Sequence, residues 1–69
     1  MPLNSVIFRG VHIEKGAKIS NCVIMQDTKI GKNAKLSYAI LDKDVIVENN
    51  MSLAGYEARP LYIGKATII

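Results

Sequence analysis

Aliphatic residues recur in this chain at steps of five or six, and each but the last stands two places after a small or β-branched residue. The aliphatic positions are Ile7, Ile13, Ile19, Ile24, Ile30, Leu36, Leu41, Val47 and Leu53, spaced by 6, 6, 5, 6, 6, 5, 6 and 6. Two places before them stand Ser5, Val11, Ala17, Cys22, Thr28, Ala34, Ala39, Val45 and Met51. Wherever the step is six, the residue three places after the aliphatic one is Gly10, Gly16, Asp27, Asn33, Asp44 or Asn50. These residue types best tolerate a left-handed backbone at a corner. No helix has this period, whereas a coil of short strands joined by tight corners does.

Two steps of six and one of five sum to 17, and the chain repeats at 17. Ile13–Lys29 reads IEKGAKISNCVIMQDTK and Ile30–Ile46 reads IGKNAKLSYAILDKDVI, identical at six positions. The identities are Ile13/Ile30, Lys15/Lys32, Ala17/Ala34, Lys18/Lys35, Ser20/Ser37 and Asp27/Asp44. The expected architecture is all-β: a single-stranded parallel β-helix of about three to four coils, each a triangle with three short sides. Equivalent strands pair in parallel at ~4.8 Å. The nine aliphatic residues point inward and stack on their equivalents, and the residue two places earlier faces in as well because strand side chains alternate. It is small because it lies near a corner of a narrow prism.

With 69 residues, the chain is short for one compact core. A solenoid is instead stabilised coil by coil and needs capped ends. No cap is evident: the repeat starts soon after Met1-Pro2, and the chain ends on Thr67-Ile68-Ile69 in mid-pattern. The expectation is a single β-helix domain over residues 1–69, expressed from a larger protein; the alternative is a small natural solenoid that self-associates. Cys22 falls on an inward small position and reads as core filler. One unpaired cysteine suits a cytoplasmic location. No run is apolar enough to span a membrane, and no signal-peptide pattern opens the chain. The beat is lost over Ala54-Gly55-Tyr56-Glu57-Ala58-Arg59-Pro60 and resumes at Leu61-Tyr62-Ile63. Residues 54–60 are therefore expected to form a loop interrupting the repeat, a place where function often sits, against the plainer reading of a connector.

Several phrases carry a resemblance: Asn4-Ser5-Val6-Ile7-Phe8-Arg9-Gly10-Val11, Cys22-Val23-Ile24-Met25-Gln26-Asp27, Ile40-Leu41-Asp42-Lys43-Asp44-Val45 and Pro60-Leu61-Tyr62-Ile63-Gly64-Lys65. They resemble the C-terminal left-handed β-helix domain of bacterial glucose-1-phosphate adenylyltransferase (ADP-glucose pyrophosphorylase), most of all the D-type regulatory subunit of glycogen biosynthesis. The left hand of the coil is implied by this resemblance and not by the spacing. The resemblance further implies that the nucleotide loop, the metal ligands and the sites for ATP and magnesium belong to an N-terminal domain outside these residues. No catalytic, cofactor-binding or metal-binding residue carries over. The implied role is packing and subunit assembly, with a catalytic subunit of the same enzyme as partner.

The alternative is a piece of a hexapeptide-repeat acyltransferase or of another sugar-phosphate nucleotidyltransferase. Such acyltransferases typically use a histidine at a trimer interface to deprotonate an acceptor. His12 is the sole candidate here and reads as a lone outward histidine. Lys15 stacks with Lys32, and Lys18 with Lys35. These four are the candidate contacts for an anionic effector, since activators of the adenylyltransferase family are often sugar phosphates; the competing reading is a solvated face that blocks stray strand pairing. The net charge of +3 is modest, and aromatics are not interleaved with the basic residues, which argues against nucleic acid. Phe8 and Met25 stack at outward positions, and Ile68 and Ile69 close an uncharged last strand. These four are the candidate self-association surface, by way of an apolar flank or the solenoid ends.

Overall fold

The computed structural model describes residues 2–69. Its strands, in chain order, are β1 (Pro2–Leu3), β2 (Val6–Ile7), β3 (His12–Ile13), β4 (Lys18–Ser20), β5 (Val23–Ile24), β6 (Lys29–Ile30), β7 (Lys35–Ser37), β8 (Ala39–Leu41), β9 (Ile46–Val47), β10 (Ser52–Ala54) and β11 (Leu61–Ile63). They form three parallel sheets, the faces of a triangular prism. The first face is β1-β4-β7-β10, the second β11-β8-β5-β2 and the third β3-β6-β9. From β1 to β10 every register is the one expected from the 17-residue repeat, with Ile19 on Leu36, Ile24 on Leu41 and Ile30 on Val47. The fold is a left-handed parallel β-helix of about three to four coils.

The core follows from the beat. Ile19, Ile24, Ile30, Leu36, Leu41 and Val47 are at most 2 % exposed, as are Cys22, Thr28, Ala34, Ala39 and Val45 two places before five of the aliphatic positions. Each such large aliphatic side chain contributes roughly 1.5–3 kcal/mol when buried. Among the described residues Thr28 is the one buried polar side chain, and both capacities of its hydroxyl are used. It donates to Asp42 O (2.9 Å) and accepts from Val45 N–H (3.3 Å), tying adjacent coils through the prism. Ile13 departs from expectation: it occupies an inward position yet is 37 % exposed, because β3 lies in the first coil and only β6 stacks on it.

All six expected corner residues adopt positive φ, from 57° at Asp44 to 84° at Gly16. The third corner, where the step is five, does so too, with Asn4, Asn21 and Tyr38 at 50°, 55° and 50°. Asparagine tolerates this region; a tyrosine there carries a backbone cost of roughly 1–2 kcal/mol. Ala66 continues the Asp27–Asp44 corner, again at positive φ.

The excursion from the stack is narrower than residues 54–60. Ala54 ends β10 in register with Ser37, and Gly55 N–H donates to Ser37 O (2.9 Å). Leu61 then pairs with Ala39, an offset of 22, which is 17 plus five inserted residues, 56–60. Those five form a tight hairpin closed by the Tyr56–Arg59 bridge. At its base Leu61 N–H reaches Tyr38 O (2.9 Å) past Gly55, where a Cβ would collide with both atoms. Glycine is required there by close approach of backbone.

Candidate functional site

The three outer faces share one backbone and differ in chemistry. On the second face, register aligns Val6, Val23, Ile40 and Tyr62 in one outward column. A parallel column holds Phe8, Met25 and Asp42, whose amides donate to Ile24 O, Leu41 O and Ile63 O. Val6, Phe8 and Tyr62 are 57 %, 44 % and 58 % exposed. An outward strand position is ordinarily polar, so a contiguous apolar face of this kind marks a contact surface. Its single charge, Asp42, is held by neighbours: the Tyr62 hydroxyl donates to Oδ2 (2.6 Å) and Lys43 N–H to Oδ1 (2.7 Å). The Tyr62 bond, then the Lys43 amide, hold the Asp42 carboxyl below its usual 3.8, and the same bond raises the Tyr62 phenol above 10.0.

The first face is basic and hydroxylic. Lys18 pairs with Lys35, and Ser20 with Ser37; Ser52 and Ala54 continue the two columns. The corner lysines Lys15 and Lys32 stand before this face. Each passes its carbonyl to the next coil, Lys15 O accepting from Asn33 N–H and Lys32 O from Asn50 N–H. The lysine column ends there, because Asn49 follows Lys32 and its side chain accepts the Lys32 amide (2.7 Å). The four lysines thus form two separate pairs, one on a corner and one on a flat face.

The third face carries His12, Lys29, Ile46 and Ile68 in its outward column. His12 is exposed in the first coil. Its column offers no carboxylate to orient the ring, and the described residues contain no group of three metal-ligating side chains. Of the last residues, Ile68 is 65 % exposed, whereas Ile69 turns inward against the core. Ile69 is half-buried in the last coil. Cys22, at 2 % exposure, donates to Ser20 O (3.2 Å); burial raises its pKa above 9.0, with backbone contacts to Ala39 and Ser20 pulling the other way.

The hairpin projects beside the second face. Tyr56, Arg59, Pro60, Leu61 and Tyr62 line a shallow hollow of about 350 Å³, and Tyr56 is 77 % exposed. Reading the sequence located Phe8 and Met25 but missed the Val6–Val23–Ile40–Tyr62 column next to them. Each of those outward residues precedes an inward one, so the pairs Val6-Ile7, Val23-Ile24 and Ile40-Leu41 read as undivided core. The available signal was alternation: if Ile24 faces in, Val23 faces out.

A family model described as GlmU-like, C-terminal hexapeptide matches residues 3–59, which is 57 of the 69. No curated protein and no solved structure matches the chain.

Proposed function

The chain belongs to the GlmU-like C-terminal hexapeptide family, and from the resemblance of its sequence phrases we propose that it is the C-terminal β-helix of a glucose-1-phosphate adenylyltransferase, of the D-type regulatory kind, acting in glycogen biosynthesis in the cytoplasm. Its task is packing and subunit assembly. The chemistry, with its ATP and magnesium, belongs to a separate nucleotidyltransferase domain of the parent. The observation that carries the assembly role is the second face, where Val6, Val23, Ile40, Phe8 and Met25 present an apolar surface on outward positions. Such a surface is covered by another domain or subunit. A second copy, or the catalytic subunit of the same enzyme, fits it.

The family match is equally compatible with a piece of a hexapeptide acyltransferase or of another sugar-phosphate nucleotidyltransferase. One experiment separates these. The full parent chain, with a catalytic subunit, is assayed for ADP-glucose formation from ATP and glucose 1-phosphate, and separately titrated with acetyl-coenzyme A. Synthesis that depends on both subunits supports the adenylyltransferase. Saturable coenzyme binding that is lost in His12→Ala, with no synthesis, replaces it with the acyltransferase.

A further inference from the structure

We propose that the second face pairs with the second face of another copy of this chain, the two solenoids lying side by side and parallel about a two-fold axis along the prism. The inference rests on the reading of this face as an assembly surface, and it adds the partner and its orientation. Register continues the Phe8–Met25–Asp42 column to Gly64, which follows Ile63 as Asp42 follows Leu41. The first coil therefore sets Val6 beside Phe8, and the second Val23 beside Met25. The third sets Ile40 beside Asp42, and the last Tyr62 beside Gly64. A two-fold axis between the columns lays each column on the partner's other one, so every contact is made twice. Large then meets small at both ends: Phe8 against Val6, and Tyr62 against Gly64. Tyr62 is 58 % exposed, and the space over Gly64 is open, with nothing nearer an added Cβ than Thr67 Oγ1 at 3.9 Å. Asp42 does not oppose the contact. Its carboxylate already accepts from the Tyr62 hydroxyl and the Lys43 amide, so covering it strands no bare charge.

The two edges of the face select the parallel arrangement. One edge carries Arg9, Gln26, Lys43 and Lys65, stacked in that order. The other carries the corner residues Asn4, Asn21 and Tyr38, then the hairpin, in which Glu57 and Arg59 have opposite charges. With the axis along the prism, the basic edge of each copy lies against the neutral edge of the other. Gln26 then meets the partner's Asn21, two amides able to exchange hydrogen bonds. Lys43 meets the partner's Tyr38, an ammonium beside an aromatic ring. Turning one copy end over end sets Arg9 against the partner's Lys65 instead, and a like-charge contact of that kind costs affinity.

Size sets the strength of the contact. Four strands at ~4.8 Å, with about five residues of each on the face, make a patch of roughly 19 by 16 Å. That is well short of the ~800 Å² per partner in a standard interface. The pair formed by this chain alone is therefore weak, with a Kd on the order of tens of micromolar or above.

The test is sedimentation of the chain over about 10–1,000 μM, the range a weak contact requires. The parent is compared with Tyr62→Ala, Gly64→Phe and the double variant Tyr62→Ala/Gly64→Phe. A monomer–dimer equilibrium is expected for the parent. Tyr62→Ala should weaken it about tenfold, the loss of one aromatic anchor. Gly64→Phe sets ring against ring and should abolish the dimer. The double variant moves the ring from one column to the other and should restore it. Gly64 is not at positive φ and both positions lie outside the prism, so the variants keep the fold, which thermal melts verify. Orientation is read separately, by mild oxidation of mixed Val23→Cys and Met25→Cys chains; Cys22 is buried. Mixed covalent dimers in excess of both homodimers support the parallel pair. Preferential linking of Val23→Cys to Ile40→Cys chains overturns it and leaves the face an assembly surface. A double variant that stays monomeric overturns it likewise. A parent that is monomeric throughout overturns the inference and leaves another subunit as the partner of this face. A dimer unchanged in every variant moves the contact off the second face and overturns both readings.

Discussion

The first and second faces have matching interiors and opposite exteriors. Ile19 and Leu36 line one interior, Ile24 and Leu41 the other, all at most 2 % exposed. Outside, one face presents Lys18, Lys35, Ser20 and Ser37, and the other Val6, Val23, Ile40, Phe8 and Met25. The difference shows how a solenoid divides its labour. Inward positions are fixed by stacking, because each aliphatic residue packs on its own equivalent and a misfit propagates to both neighbours. Outward positions carry no such constraint, so each face is free to acquire its own chemistry without disturbing the coil.

The largest effect should separate inside from outside on a single strand. Lys35 and Leu36 are neighbours on β7, the first exposed and the second 2 % exposed. Leu36→Asp places an unpaired charge between Ile19 and Leu53, at a cost of roughly 4 kcal/mol or more, and should leave no cooperative thermal transition by circular dichroism. Lys35→Asp should stay within about 0.5 kcal/mol of the parent. Equal shifts in the two variants would mean that the strand's faces are assigned the wrong way round.

Next in size is a comparison of two glycines in the terminal coil. A Cβ at Gly55 collides with the backbone of Tyr38 and Leu61, where the chain re-enters the stack. A Cβ at Gly64, beside the second face, meets nothing nearer than Thr67 Oγ1 at 3.9 Å. Gly55→Ala should therefore cost about 1–3 kcal/mol, the range for forcing atoms into filled space, and Gly64→Ala close to nothing. A chemical denaturation series on both variants checks this. If both cost the same, the hairpin re-entry is looser than the Leu61–Tyr38 bond indicates.

How much of this could be read without coordinates follows from the same division. The inward set and the glycine, asparagine and aspartate corners were legible, because a period and a backbone requirement leave signatures in residue type. The third corner was not. It turns through Asn4 and Asn21, but through Tyr38 in the third coil, and tyrosine gives no turn signal. Likewise, Ala66 sits at a positive φ that alanine does not advertise. In both places the stacked coils override local preference. The lysine pairs were legible as a ladder, yet only the register shows that Lys18 and Lys35 share a face with Ser20 and Ser37 while Lys15 and Lys32 do not. The apolar outer column stayed hidden for the reason that makes it informative: its residues look like core.

A milder pair tests what the outer faces do. Val23→Lys puts a charge in the middle of the second face, and Ser20→Lys puts one on the first. Each should change stability by no more than about 0.5 kcal/mol, since each lies outside the prism. Association should respond to one alone. Light scattering over a concentration series is expected to show a smaller mean mass for Val23→Lys and no change for Ser20→Lys. If both variants match the parent, contact between copies runs through the solenoid ends, where Ile68 is exposed, and not through the second face.

The smallest expected effect concerns the one charge on the apolar face. Tyr62 donates to Asp42 Oδ2 and so joins the terminal coil to the one before it. The bond favours the ionised carboxylate and the protonated phenol, which lowers the Asp42 pKa from 3.8 and raises that of Tyr62 from 10.0. For a lowered acid, the stabilisation is present above the unfolded value and is lost as pH falls through the folded one. For a raised phenol, it is present below the unfolded value and is lost as pH rises through the folded one. The contribution is therefore full between those two limits and fades beyond either. Both groups face solvent, so Tyr62→Phe should barely move the melting point near neutral pH. Its signature is elsewhere: the Asp42 carboxyl, followed by nuclear magnetic resonance, should titrate nearer its ordinary value. The Lys43 amide and the Lys43 and Lys65 charges still lower it, so part of the shift should persist. An Asp42 titration identical in the two proteins would mean that the carboxyl takes its character from Lys43 and Lys65 and that the terminal coil is held by its backbone bonds to β8.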